Sequence, residues 1–210
     1  ALGMLSDNTH QIVSKGKRFD AMTRDFLATF EPNSFNSACL LSTNSDRRSL
    51  NYRIHNALKA EGHLGESIRV DLRTGPLKTE SVELSVGDRI MCLAQHKESG
   101  AKNGSLFCIT EVSRDGKIKV LGEDGKQAEI DLKTFNRLSH AYAVTAHKAQ
   151  GMTIDHVYAN LDVKQKNFSY RNNLYVILSR AKKSVGIYTN DTEKTKVAYA
   201  REAKSLSSSD

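Results

Sequence analysis

No apolar run in the 210 residues approaches the roughly 20 that a membrane-spanning helix needs, which argues against a helical anchor within this sequence. Prolines number two and cysteines three. With 39% hydrophobic and 26% charged residues, the sequence falls in the soluble globular class and not in the disordered one. Cys39, Cys92 and Cys108 are odd in number, far apart and set in apolar stretches, so they read as reduced core thiols rather than a disulfide framework. None of the seven histidines stands at zinc-ligand spacing with a cysteine, and no metal site is expected. The opening ALGMLSDNTHQ carries neither a basic leader nor a cleavage pattern, so the expected location is the cytoplasm, with no membrane partner.

Positive charge, by contrast, is plentiful. Lysines and arginines number 31 against 24 acidic residues, a formal charge of +7 and a pI near 9.3. A positive field raises encounter rates with polyanions, and neutralised phosphates release counterions, so an anionic partner is expected.

The length suits one domain with an insertion, or two small ones. Residues 1–16 show no period. In RFDAMTRDFLATF, Phe19, Met22, Phe26, Leu27 and Phe30 share one helical face, giving an amphipathic helix that ends before Pro32. SACLLST (37–43) is a continuous apolar run, the pattern of a strand buried on both faces of a parallel sheet. A second helix follows, capped by Asn44 or Ser45, striped by Leu50, Ile54, Ala57 and Leu58, and stopped by Gly62. Open α/β sheets bind ligands at strand ends, so Arg47 and Arg48 at this junction meet either a ligand or solvent. Arginines match the positive end of a helix dipole poorly, which hints at a nearby anion. Residues 68–72 alternate weakly before Gly75 and Pro76, as a connector or edge strand.

Past Val86 the texture changes. RIMCLAQ, SLFCITEV, KIKVLG and QAEIDL are separated by Asn103-Gly104, Asp115-Gly116 and Asp124-Gly125, dipeptides that take the positive φ angles of tight hairpin turns. Four such strands in about fifty residues suggest a small antiparallel barrel of SH3-like type over 86–138. Lys97, Lys102 and Phe107 read as loop cations and a core ring, with a nucleic-acid strand as the alternative contact. The α/β texture then returns. Residues 141–150 read as a short helix closed by Gly151, 156–162 as a buried strand, 168–182 as a helix, 184–190 as a strand, and 192 to about 204 as a helix capped by Asp191.

Two segments carry chemistry. In TAHKAQGMT, Thr145, His147, Lys148 and Gln150 offer hydroxyl, imidazole, ammonium and amide groups able to contact phosphate or sugar, and Gly151 permits close backbone approach. The same pattern also fits a polar surface helix. In YVILSRAKK, a guanidinium at Arg180 could stabilise the charge spread over a phosphoryl group in transfer, while Lys182 and Lys183 read as complements to a helix dipole.

Together these segments resemble superfamily 1 helicases of the RecD-like group: AYAVTAHKAQGMT is similar to motif V, YVILSRAKK to motif VI and LLSTNSDRR to the motif IV region. The resemblance runs over 19–190 and is nearest to the helicase portions of TraI-type conjugative relaxases. It implies an α/β fold with a RecA-like parallel sheet of P-loop NTPase type, the 2A domain over 1–85 and 139–210, and an inserted small antiparallel SH3-like β-barrel, 2B, over 86–138. It implies a 5′-to-3′ ATP-dependent DNA helicase. Arg180 then matches the catalytic arginine that reaches the γ-phosphate of ATP, and Arg48, with Arg47 as the alternative, matches the basic position near the nucleotide. Thr145, His147, Gln150, Gly151 and Thr153 match positions that contact single-stranded DNA, although many of that group carry an acidic residue in the place of Thr153. The implied partners are single-stranded DNA, an N-terminal RecA-like domain of the same polypeptide, and the conjugative secretion machinery.

The sequence contains no GxxxxGK[ST] loop, so it has no phosphate cradle and no lysine for the β- and γ-phosphates. ATP with Mg2+ is therefore expected in a full-length parent, held mainly by a domain outside these residues, and the fragment alone is expected to be inactive. The alternatives are an ATPase-inactive helicase-like module that binds single-stranded DNA or the secretion machinery, and an SH3-like adaptor with flanking α/β packing.

Overall fold

The computed structural model describes residues 8–75, 78–145, 148–149, 152, 154–165, 177 and 179–197. In chain order it places β1 (Thr9–Gln11), α1 (Lys15–Leu27), β2 (Ser37–Leu41), α2 (Asn44–Ala60), β3 (Ser67–Arg73), β4 (Thr79–Ser85) and β5 (Arg89–Cys92). Then follow β6 (Leu106–Val112), β7 (Lys117–Gly122), β8 (Gln127–Asp131), β9 (Leu138–His140), β10 (Ala143–Thr145), β11 (Ile154–Leu161) and β12 (Ala181–Thr189). The chain divides into two units, 1–30 with 36–53 and 143–210, and 31–35 with 54–142; α2 runs through the division.

The first unit is α/β. Its sheet has the order β1-β12-β11-β2-β10, and every pairing is parallel. All five positions of β2 are buried, as a central strand covered on both faces requires. On α1, Phe19, Met22 and Phe26 are buried at helical spacing, and the Ser14 hydroxyl accepts the Lys17 N–H at the helix start. Truncating the fully buried Phe26 to alanine should cost about 3 to 5 kcal/mol. Arg18 is also buried, and its guanidinium is fully engaged. It donates to Asn160 Oδ1 at 3.0 Å, to Asp162 Oδ2 at 2.6 Å and to the carbonyls of Ile12 and Val13, tying the start of α1 to the end of β11. A buried cation persists only when paired and hydrogen-bonded in this way.

The second unit is antiparallel. A β3–β4 hairpin accompanies a five-stranded sheet of order β8-β7-β6-β5-β9. Ile90, Phe107, Ile109, Val120, Ile130 and Leu138 form its core, and Leu72 and Leu84 of the hairpin belong to the same cluster. That shared core is why 54–85 groups with 86–142. Gly116 and Gly125 close the β6–β7 and β7–β8 hairpins with φ of +91° and +76°, the glycine alone and not the preceding aspartate taking positive φ; Gly104, at +96°, lies in the longer 93–105 connection between β5 and β6 and not in a tight turn.

Several local expectations change. Residues 143–145 form a strand on β2 and not a helix, since Ala143, Val144 and Thr145 pair with Cys39, Leu40 and Leu41. Lys182 and Lys183 lie in β12 rather than at a helix end. Thr43, whose hydroxyl accepts the Asp46 N–H at 3.1 Å, caps α2 in place of Asn44 or Ser45. Among the described residues no helix is long and apolar enough to cross a membrane.

Candidate nucleotide and nucleic-acid interface

Strand polarity gives the parallel sheet two chemically distinct edges. At the carboxyl edge, β2 leads through Thr43 into α2, where Asp46 is buried. Asp46 accepts from Gln165 Nε2 at 2.7 Å and pairs with Lys15. Arg47 is buried and Arg48 half-buried, one turn into the helix. Thr145 ends β10 beside Leu41, and its carbonyl accepts the N–H groups of Lys148 and Ala149 at 2.9 and 3.1 Å. His147, Gln150, Gly151 and Thr153 lie outside the described residues.

The amino edge holds Arg180. Its Nη1 donates to the Met152 carbonyl at 3.3 Å and its Nε to Ser179 Oγ at 3.3 Å, so the end of the TAHKAQGMT segment is bonded to the arginine. Next to it, Lys183 pairs with Asp155 at 2.8 Å, and His156 Nδ1 lies 2.8 Å from Ser184 Oγ. The Lys183 ammonium holds the Asp155 carboxyl below the usual carboxylate range.

Arg48 and Arg180 are therefore on opposite edges. Leu40 is level with Ala159 and Ile187, six residues beyond the Ala181 that follows Arg180, roughly 20 Å along the strands. From the end of β2, α2 runs back along β10, for Asn51 bonds Ala143; by Arg48 it has returned only about 6 Å.

The second unit contains a polar hub with no counterpart in the sequence reading. Asp88 is wholly buried, and four groups surround its carboxylate. His55 Nδ1 and the Tyr142 hydroxyl reach Oδ1 at 2.9 and 2.5 Å; the Ser85 N–H and His140 Nε2 reach Oδ2 at 2.6 and 3.3 Å. Burial alone would raise this carboxyl, but His140 and His55 outweigh it and bring Asp88 well below the usual range. Burial, then Asp88, pushes the Tyr142 phenol well up. His55, Asp88 and His140 are metal-ligating types whose ligand atoms lie within 4.8 Å of one another. Each carboxylate oxygen, however, already faces two hydrogen-bonding partners, and buried Arg89 follows in the chain, so a divalent ion would add charge to a site already balanced. The geometry is that of a hydrogen-bonded hub. Gaps of 33 and 52 residues separate its members, and no spacing rule would have grouped them.

Comparison with known proteins gives a consistent picture. Residues 140–188 match the UvrD-like helicase C-terminal domain. The chain is 31% identical over 106 residues to the probable conjugal transfer protein TraA of Sinorhizobium fredii, covering 49% of this chain and 9% of that protein. It is 28% identical over 120 residues to the multifunctional conjugation protein TraI of Escherichia coli, covering 54% of this chain and 7% of that one. Bacteroides Pif1 bound to single-stranded DNA superposes with a TM-score of 0.56 at 21% identity, over 98% of this chain and 50% of that one. The chain thus spans about a tenth of the curated relatives' length and half of the solved structure's. Its parallel-sheet α/β fold matches the RecA-like domains of helicases, and the sequence is similar to the UvrD-like helicase C-terminal domain and to proteins of conjugal transfer.

Proposed function

We propose that the chain is the second motor domain of an ATP-dependent DNA helicase within a conjugative relaxase, translocating 5′ to 3′ in the cytoplasm. The observation that carries this reading is the bond from Arg180 to the Met152 carbonyl. It joins the segment resembling motif VI to the end of the segment resembling motif V, so a shift at one is felt at the other. Arg180 reaches the γ-phosphate of a nucleotide held by the N-terminal RecA-like domain of the parent, and Arg48 lends charge near that nucleotide. Thr145, His147, Gln150, Gly151 and Thr153 contact single-stranded DNA.

The donor set fits one half of a triphosphate site. The Arg180 guanidinium suits phosphate oxygens, and Arg48, on the opposite edge roughly 20 Å away along the strands, adds only longer-range charge; the cradle and the Mg2+ ligands fall to the N-terminal domain, since these 210 residues have no GxxxxGK[ST] loop. When bound there, ATP with Mg2+ supplies the phosphoryl group whose transfer drives the motor. In this reading the motor domain is drawn from 1–85 and 139–210 and 86–138 is its SH3-like 2B insertion, a surface for DNA or for the secretion machinery, with the β3–β4 hairpin of 67–85 packed into the insertion's core.

In the full-length parent, Arg180→Ala should lower ATP turnover by about 10³ to 10⁵ while leaving single-strand binding largely intact. Normal turnover in that variant refutes the assignment. The second reading is an ATPase-inactive helicase-like module that binds single-stranded DNA or the secretion machinery. A GxxxxGK[ST] loop upstream in the parent gene supports the motor, and its absence there supports the module.

A further inference from the structure

Beside Arg180, β11 and β12 fall out of step by one residue. Ala181 pairs with Ile154 and Ser184 with His156, so Lys182 and Lys183 together stand opposite the single residue Asp155. Such a bulge leaves one residue outside the ladder and re-aims its side chain; it is rare between parallel strands and over-represented beside active sites. The local charges do not balance. Lys183 takes Asp155, Lys182 is exposed, and Arg180 donates only to neutral groups, the Met152 carbonyl and Ser179 Oγ. Among the described residues neither Arg180 nor Lys182 is in an ion pair; Lys182 acts on Asp155 only at a distance, behind Lys183.

We propose that Lys182 is a second phosphate-binding cation, aimed by the bulge, and that with Arg180 it takes a phosphate group of a nucleotide. This rests on the reading that Arg180 faces a nucleotide. The two side chains divide the work by chemistry. A planar guanidinium engages two oxygens in fixed geometry, whereas an ammonium on a flexible stem follows the remaining charge as a point cation. Lys183 cannot take this part while Asp155 holds it. The bulge therefore does what regular pairing would not, placing two lysines against one acid so that one is surplus.

Titration of the 210-residue chain with inorganic pyrophosphate, followed through the backbone amides of 180–184 by NMR, tests the proposal. Saturable shifts are expected. Lys182→Gln should weaken binding about five- to tenfold, the loss of one charge-assisted hydrogen bond at an exposed site, with Lys182→Arg retaining most of it. Lys183→Gln should change it less than about twofold, and Asp155→Asn should tighten it by freeing Lys183. Absence of saturable shifts, or equal losses in Lys182→Gln and Lys183→Gln, overturns the proposal. If Arg180→Gln abolishes binding and Lys182→Gln does nothing, only the Lys182 assignment fails. If Arg180→Gln is silent, the nucleotide reading of Arg180 fails with it. A parallel titration with a short oligothymidylate separates the sources of phosphate: weakening there and not with pyrophosphate assigns the site to a strand and overturns the nucleotide.

Discussion

Asn51 holds Ala143 by both backbone groups, its Nδ2 donating to the carbonyl at 2.9 Å and its Oδ1 accepting the N–H at 2.8 Å. The side chain is 4% exposed, and it fixes α2 to the first residue of β10. Arg48 and Thr145 sit on the two elements so joined, three and two residues from the ends of the bond.

Asn51→Ala should therefore destabilise the fold by about 2 to 4 kcal/mol, because two buried backbone groups lose their partner at once. Asn51→Asp keeps the acceptor and loses the donor. Equilibrium urea unfolding checks the pair, with Asn51→Ala expected to lie lowest. A midpoint within error of the parent chain would refute the role.

Asp88 makes a second prediction, in acid. A carboxyl whose folded pKa lies below its unfolded value contributes stability that is complete above the unfolded pKa of about 3.9 and is lost as pH falls through the folded one. Burial opposes the depression here, and His140 and His55 more than offset it. At pH 7 Asp88→Asn should cost about 3 kcal/mol, since the amide nitrogen cannot accept the two hydrogen bonds that one carboxylate oxygen takes in this buried site. Below about pH 4 the gap between the two proteins should narrow. Urea midpoints measured from pH 7 to pH 3 test this, and parallel curves would exclude it.

The sequence made local order legible where turn chemistry and strand period agree. KIKVLG occupies β7 to the residue, and its flanking glycines adopt the positive φ that the dipeptides imply. It failed where partners are distant. Ala143–Thr145 is too short to show a period, and its strand character comes from β2, some hundred residues earlier in the chain. Thr9–Gln11 likewise becomes a strand only against β12. The helix expected through Lys182 ends at Arg180 because Ala181 opens the pairing with β11, a contact that no helical stripe can announce. Among the site residues, Arg48, Thr145 and Arg180 were visible as residue types in pattern; the division between two sheet edges was not.

Cysteine reactivity offers a third test. Cys39, Cys92 and Cys108 are all buried and in no disulfide. Burial pushes the Cys92 thiol up to about 12 and the Cys108 thiol up to about 11, so neither supplies appreciable thiolate at pH 8. A thiol reagent should label none of them promptly in the native chain and all three in urea. Rapid native labelling of Cys92 or Cys108 would show that the antiparallel core opens on the assay's timescale.

The last prediction concerns the two arginines. Groups that bear on one phosphate couple strongly, while groups more than about 7 to 10 Å apart with no shared partner act additively. Arg180 precedes Ala181 at the amino edge and Arg48 follows β2 at the carboxyl edge, roughly 20 Å apart along the strands before α2 turns back. Arg48→Ala and Arg180→Ala in the full-length parent should accordingly combine with an interaction energy below about 0.5 kcal/mol in kcat/KM for ATP. A coupling of 2 kcal/mol or more, on the order measured for groups sharing a network, would mean that both reach the same phosphate. The edges of the sheet would then have to close on the nucleotide in the working enzyme. Additivity would instead assign Arg180 to the phosphoryl group alone and leave Arg48 to the carboxyl edge, beside Thr145 and the DNA strand proposed to lie there.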